Sequence, residues 1–116
     1  MYIADGKTNG PAFSWPDGKR IAVMVTFDYD AEFLRISRAK SKGTSIGFTD
    51  FSRGQYGPHE GLARCLDMLD TMNIKSTFFV PGAVIETYRD TVEEIHRHGH
   101  ELACHGYRHE SDPELS

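Results

Sequence analysis

The sequence lacks an excess of positive charge, a cysteine framework and long apolar runs. Its 116 residues carry a formal net charge of -4, which excludes the broad basic surface that nucleic acids and anionic membranes require. Cys65 and Cys104 form no Cys-x-x-Cys pair, so both are expected to be reduced core residues. No run is long enough for a membrane span or a signal-peptide core, and a cytoplasmic location is therefore predicted.

The composition is that of an ordinary globular domain, with 39% hydrophobic and 26% charged residues. The length allows one domain at most. Residues 1–19 are polar and contain several glycines and prolines, so they are interpreted as an N-terminal extension. Residues 20–116 are expected to form the folded part.

Hydrophobic periodicity predicts alternating strands and helices in the folded part. The predicted strands are residues 20–27, 76–80 and 100–104. The predicted helices are residues 62–72, which stop at Asn73, and residues 84–95, which break near Asp90 and are closed by Gly99. Residues 31–57 show no sustained period and contain several glycines, which predicts a long loop.

The order strand, helix, strand, helix, strand is typical of a parallel α/β sheet with right-handed crossovers. Active sites of parallel α/β proteins lie at the carboxyl ends of the strands. Two polar clusters follow such ends, Phe27-Asp28-Tyr29-Asp30 after the first strand and His105-Gly106-Tyr107-Arg108-His109 after the third. We therefore expect both clusters on one rim of one sheet.

The second cluster carries two imidazoles four residues apart, a spacing that lets both face one cation. Most isolated pairs of this kind are surface residues, and it is the position after a strand that favours metal binding here. A catalytic metal takes about three protein ligands and leaves one position open. Asp30, His105 and His109 would satisfy that count, and Asp28 would remain free to accept a proton from water.

These motifs together resemble those of the polysaccharide deacetylases, also called the NodB-homology or carbohydrate esterase 4 family. The resemblance covers most of residues 20–116 and takes in the segments Thr26–Glu32, Ser52–Gly57, Ser76–Gly82, Gly99–Glu101 and His105–His109. The Asp-x-Asp-x-Glu form of the first motif is similar to the branch with intracellular peptidoglycan-deacetylase-like proteins, cyclic imide hydrolases and allantoinase-like enzymes.

The resemblance implies a distorted (β/α) barrel, of which this chain would supply the N-terminal part. It also implies that Asp28 is the catalytic base and that Asp30, His105 and His109 hold a divalent ion, Zn²⁺ or another first-row metal. Glu32, which completes the Asp-x-Asp-x-Glu motif, is a weaker candidate for binding substrate or bracing the metal. Arg53, Gln55 and Tyr56 are weaker candidates for a substrate mouth. A solvated carboxylate and a turn without function are the competing interpretations.

The implied activity is metal-dependent hydrolysis of carbon–nitrogen bonds other than peptide bonds. The substrate would be an N-acetylated amino sugar or a small cyclic amide or imide, and the lack of an export signal favours the small amides. A metal-independent allantoinase-like hydrolase is one alternative, and a non-catalytic metal-binding remnant is another.

Three strands fall short of the implied barrel, and the family's later motifs, which include the general acid, are not found in the chain. We therefore expect an N-terminal fragment or a truncated product that is inactive alone. Unpaired strand edges also make a homo-oligomer possible. Two further expectations concern single residues: Cys104 packs in the core, and His96, His98 and His100 lie on the surface near a helix C-terminus.

Overall fold

The computed structural model describes residues 15–110, which contain three strands and five α-helices. A short 3₁₀ turn at Pro16–Gly18 precedes them, and a π-helical turn at Gly57–Gly61 joins two of the helices. The elements are, in chain order, β1 (Thr26–Asp28), α1 (Phe33–Ser41), α2 (Phe48–Tyr56), α3 (Leu62–Thr71), β2 (Thr77–Val80), α4 (Gly82–Thr87), α5 (Arg89–Arg97) and β3 (Glu101–Cys104).

The three strands form one parallel sheet in the order β1-β2-β3. This confirms the predicted α/β class and the predicted parallel pairing of the strands. The first strand is shorter than the predicted residues 20–27, because its ladder with β2 begins near Val25, whose carbonyl accepts a hydrogen bond from the Thr77 amide at 3.2 Å. Ile21, Val23 and Met24 are exposed, and a β-branched run without a pairing partner does not count as strand.

The prediction of a long loop over residues 31–57 was wrong, because α1 and α2 occupy most of this segment. Polar and basic residues dilute the apolar stripe of α1, and Phe33 alone among its side chains packs on the core cluster. Gly54 was interpreted as a loop residue, yet it lies buried inside α2. A Cβ atom at Gly54 would come within 2.4 Å of the Glu32 Cα atom, so the glycine lets α2 approach the start of α1.

The other two helical predictions were confirmed in type. Leu62, Leu66 and Leu69 of α3 are buried, as their helical spacing indicated, and Asn73 ends the segment with a φ of +52°. The second predicted helix is divided into α4 and α5, but the break lies at Tyr88 rather than at Asp90. No side chain caps α5 at this break, so a capping box was the wrong signal for it.

A core fills the space between the sheet and α3, α4 and α5. Its fully buried side chains include Phe78 of β2, Leu69, Val84 and Ile95, and the rings of Phe27 and Phe78 stack with centroids 4.9 Å apart. Burying an apolar side chain of this size stabilises the fold by about 1.5–3 kcal/mol. Packing of Phe78 in this core therefore fixes the position of β2, and both neighbouring strands pair with β2.

Two single-residue expectations failed. His100 is buried at 4% exposure, and its Nδ1 atom accepts a hydrogen bond from the Ser76 amide at 3.2 Å. Burial, followed by the charge of Lys75, lowers the pKa of His100, which keeps the ring neutral and able to accept. Cys104 is exposed, since the face of β3 that it shares with Leu102 is only partly covered by the described residues.

No helix in the part of the chain that the structure describes is both long enough and apolar enough to cross a membrane.

We predict that Gly54→Ala destabilises the protein, because the new methyl group would meet backbone atoms of Glu32 that cannot turn away. The expected loss in the free energy of unfolding is about 1–3 kcal/mol, the usual cost of overpacking. Gly47→Ala is the matched control, since a methyl group there would meet no other part of the described chain within 4 Å and its φ is ordinary. Equal stabilities of the two variants in chemical denaturation would contradict the packing assigned to Gly54.

Tyr29 gives a prediction about alkaline stability. Burial raises the pKa of its phenol to about 12, and the hydroxyl donates to the Thr91 hydroxyl at 2.8 Å. The unfolded phenol ionises near pH 10, so the stabilisation is complete below about pH 10 and is lost as the pH rises towards 12. The contribution of Tyr29 at pH 11 should be about 1.4 kcal/mol smaller than at pH 9.

Denaturant unfolding at both pH values measures this contribution, and Tyr29→Phe is the comparison because it has no proton to lose. The variant should show a shallower fall in stability between pH 9 and pH 11. If the stabilities of the two proteins fell equally between pH 9 and pH 11, the raised pKa assigned to the Tyr29 phenol in the folded protein would be wrong.

Candidate metal centre

The residues of the two polar clusters meet at the carboxyl end of the sheet, where β2 holds the other two strands in place. The amide of Tyr29 donates to the carbonyl of Phe79 at 2.9 Å, and the amide of His105 donates to the carbonyl of Val80 at 3.3 Å. Two successive carbonyls of β2 therefore fix the chain just before Asp30 and at His105. The polar residues that follow β1 and β3 therefore leave the sheet at the same end, on either side of β2.

Asp30, His105 and His109 form a compact group. Their donor atoms, one from each residue, all lie within 4.8 Å of one another. The distance from Asp30 Oδ1 to His105 Nε2 is 3.5 Å, and that from Asp30 Oδ2 to His109 Nε2 is 3.9 Å. The two imidazole rings are nearly perpendicular, with centroids 4.8 Å apart. These separations are too long for hydrogen bonds.

Asp30 Oδ1 and His105 Nε2 of this group are buried and have no hydrogen-bond partner among residues 15–110. Leaving such atoms unsatisfied costs about 1–3 kcal/mol each, so a buried pair of them needs an explanation. Donors bound at about 2.1 Å to one tetrahedral ion lie about 3.4 Å apart, which matches the 3.5 Å between Asp30 Oδ1 and His105 Nε2, while the full set of three donors lies within 4.8 Å. A mixed set of two imidazoles and one carboxylate suits Zn²⁺ and its first-row neighbours, so the residues present fit such an ion.

The electrostatics of Asp30 reflect this environment. Burial raises the pKa of its carboxyl group, since only 11% of the side chain is exposed. His109 and His105 lower that pKa in part, while the nearby charge of Asp28 raises it further. The carboxylate thus lies where water does not compensate its charge, next to two groups that bind cations.

The histidine loop, residues 105–109, is held by contacts that the sequence did not suggest. Gly106 and His109 have φ values of +69° and +59°, which turn the loop back over the end of the sheet. The Glu110 carboxylate accepts hydrogen bonds from the amides of Tyr107 and Arg108, at 3.2 and 2.8 Å. The Ser37 hydroxyl of α1 donates to the His109 carbonyl at 2.8 Å. A carboxylate one residue after the second histidine was the available signal for Glu110.

Asp28 lies outside this group of donors. It is the last residue of β1, opposite Phe79 in the ladder, and it is exposed. The negative charge of Asp28 nevertheless raises the pKa of the Asp30 carboxyl group. The position leaves its carboxylate open to solvent and to a small molecule at the rim, which is what a proton acceptor requires.

The weaker candidates lie outside the group formed by Asp30, His105 and His109. Glu32 is buried at 5% exposure, and its two carboxylate oxygens accept hydrogen bonds from Tyr88. The interpretation of Glu32 as a solvated carboxylate was therefore wrong, and its role in binding substrate or bracing the metal stays a prediction.

Arg53, Gln55 and Tyr56 belong to α2 rather than to a loop. Arg53 is exposed and lies 3.9 Å from Asp50, in an ion pair of small energetic value. The Gln55 side chain lies near the Tyr88 phenol, whose pKa it lowers in part. Tyr56 is half exposed, with its ring against Gly61. None of these contacts joins the three residues to the Asp30 group, so a role at the substrate mouth stays a prediction.

Comparisons with known proteins point to one family. The family model for polysaccharide deacetylases matches residues 16–116. A peptidoglycan deacetylase of Helicobacter pylori is 37% identical over 93 residues, which are 80% of this chain and 31% of that protein. A peptidoglycan deacetylase-like protein of Gibberella zeae is 31% identical over 99 residues, which are 84% of this chain and 29% of that protein. The chain thus spans less than a third of these curated relatives.

A crystal structure from Mycobacterium smegmatis that carries the polysaccharide deacetylase name superposes with a TM-score of 0.78 and 40% sequence identity. The match covers 94% of this chain and 37% of the other. The shared arrangement is the parallel sheet with its helices, which agrees with the expected N-terminal part of a larger α/β barrel. From the family model and this fold together, we conclude that the chain belongs to the polysaccharide deacetylase family.

Proposed function

We propose that this chain carries the metal ligands and the base of a metal-dependent hydrolase that removes N-acetyl groups from amino sugars. The observation that supports the proposal best is the pair of buried, unpartnered atoms Asp30 Oδ1 and His105 Nε2, which converge with His109 on one point. A divalent ion, most simply Zn²⁺, would satisfy both atoms. Family membership supports a hydrolase of carbon–nitrogen bonds as the reaction class.

Such an ion, when bound, supplies the Lewis acidity that polarises an amide carbonyl and acidifies a water molecule. The residues of the chain would do the rest. Asp30, His105 and His109 hold the ion, and burial of Asp30 keeps competing solvent away from it. Asp28, exposed at the end of β1, accepts a proton from the attacking water.

Two relatives named as peptidoglycan deacetylase or deacetylase-like favour an acetylated amino sugar over the small cyclic amides that the export argument favoured. A metal-independent allantoinase-like hydrolase is less well supported, because Asp30, His105 and His109 are all present and converge. Release of acetate from chitin or peptidoglycan oligosaccharides, measured beside turnover of a cyclic imide and of allantoin, separates the three substrate classes.

We predict that Asp30→Ala and His105→Ala each abolish stoichiometric metal binding, because each removes one of three ligands. Asp28→Asn should retain the metal and lower kcat by about 10²- to 10⁴-fold, the usual contribution of a general base. Elemental analysis and acetate release on the full-length polypeptide measure the two effects. Asp67→Asn, which changes an exposed carboxylate of α3, is the control.

Stoichiometric metal in both ligand variants would show that the ion lies elsewhere. A rate for Asp28→Asn close to that of the unsubstituted protein would remove Asp28 as the base while leaving the metal assignment intact.

We also propose that the 116 residues on their own associate and turn over substrate slowly at most. The outer edges of β1 and β3 are unpaired among residues 15–110, and the nearby side chains of Met24 and Leu102 are exposed. Unpaired edges with apolar neighbours favour pairing with another chain. Light scattering should therefore find masses above that of the monomer, and a monodisperse monomer with amidase turnover would contradict the proposal.

A further inference from the structure

Hydrogen bonds from the junction between α4 and α5 hold the chain on both sides of Asp30. On the N-terminal side, the Tyr29 hydroxyl donates to the Thr91 hydroxyl at 2.8 Å. On the C-terminal side, the Tyr88 hydroxyl donates to the Glu32 carboxylate, at 3.0 Å to Oε1 and 2.9 Å to Oε2. The metal ligand thus lies between two residues that are anchored to the same short segment.

The anchors are linked to each other and to buried packing. The Thr91 hydroxyl donates to the Tyr88 carbonyl at 2.7 Å, which closes a ring of contacts from Tyr29 to Glu32. Gly54 packs against the backbone of Glu32, and a Cβ atom at Gly54 would lie 2.4 Å from the Glu32 Cα atom. Glu32 is therefore held at its backbone by Gly54 and at its carboxylate by Tyr88.

The segment between the anchors carries backbone strain. Ala31 has a φ of +49°, a conformation that is unfavourable for a residue with a side chain and persists only when its surroundings impose it. The amide of Phe33 donates to the Asp30 carbonyl at 3.0 Å, so the turn is tight. The contacts of Tyr29 and Glu32 are the interactions that can impose it, since they flank Ala31 and Asp30 on both sides.

The other end of α4 contacts the histidine loop. The amides of Gly82 and Ala83 donate to the carbonyls of Gly106 and Tyr107, at 3.0 and 2.9 Å. A Cβ atom at Gly82 would lie 2.6 Å from the Tyr107 ring, so the approach is close. The helix therefore connects the loop that carries His105 and His109 to the turn that carries Asp30.

We infer that Tyr88 is a positioning residue for the metal centre: through Glu32 it fixes the turn that aims Asp30 at His105 and His109. The inference rests on the proposed metal-dependent function. Burial, followed by the hydrogen bond to Glu32, raises the pKa of Tyr88, so its hydroxyl remains a donor at neutral pH. The Glu32 side chain acts in this arrangement as an acceptor, and its position matters more than its charge.

Zn²⁺ affinity, measured by competition with a chromophoric chelator on the full-length polypeptide, tests the inference. Tyr88→Phe should weaken Zn²⁺ binding by about tenfold, within the range known for residues that orient metal ligands. Glu32→Ala should weaken it similarly, whereas Glu32→Gln retains an acceptor for Tyr88 and should bind Zn²⁺ about as tightly as the unsubstituted protein.

Thr77→Val is the matched control, because the Thr77 hydroxyl also donates to a carboxylate, that of Glu101 at 2.6 Å, but at the amino end of the sheet, away from the candidate metal centre. Its Zn²⁺ affinity should be unchanged. Circular dichroism and thermal unfolding accompany each measurement, so that the affinity refers to folded protein and is not confused with lost stability.

Unchanged affinity in Tyr88→Phe would overturn the positioning role while leaving the proposed function standing. Equal losses in Glu32→Gln and Glu32→Ala would overturn it too, since Glu32 would then act through its charge. Absence of Zn²⁺ binding by the unsubstituted protein would overturn the proposed function, and the positioning role with it.

Discussion

The arrangement of the candidate site depends on the two-sided pairing of β2. This strand uses one edge for β1 and the other for β3, and both pairings are parallel. Its last two carbonyls, those of Phe79 and Val80, bind the amides of Tyr29 and His105. Because Phe78 is buried between the layers, the strand cannot shift without opening the core. The separation of Asp30 from His105 is therefore a consequence of core packing.

This constraint creates an electrostatic problem that the site must resolve. Asp30 is carried to a position where burial disfavours its charge, and the neighbouring imidazoles are too distant to donate hydrogen bonds to it. A cation at this point removes the problem, since it converts three poorly matched neighbours into ligands. The anchors at the α4–α5 junction then have a physical purpose, because they hold the strained turn that keeps the carboxylate in place.

The sequence predicted the fold and the site best where the spacing of apolar residues and the polar residues that follow them indicated the same arrangement. The three strands were predictable from short apolar runs, and the group formed by Asp30, His105 and His109 was predictable from parallel pairing, with Asp28 at the same end of the sheet but outside that group. The family resemblance carried the same residues independently, and the match to the family model confirmed the family itself.

The sequence failed where a tertiary contact overrides the local pattern. Gly54 resembles a loop glycine, and only its contact with Glu32 explains why it lies inside a helix. His100 resembles a surface residue, and its acceptor role depends on the Ser76 amide, 24 residues earlier. Glu32 and Tyr88 are 56 residues apart, so no local pattern predicts their hydrogen bond. These cases share one cause, which is a partner that becomes a neighbour only after the sheet has formed.

The proposed metal centre requires that Asp30, His105 and His109 share one divalent ion while Asp28 does not bind it. Anomalous diffraction from crystals of the zinc-loaded full-length polypeptide, recorded on both sides of the zinc absorption edge, locates the ion without reference to activity. We expect a single anomalous peak bonded to a carboxylate oxygen of Asp30 and to Nε2 of both histidines. A peak bonded to Asp28, or one away from these three residues, would refute the assignment.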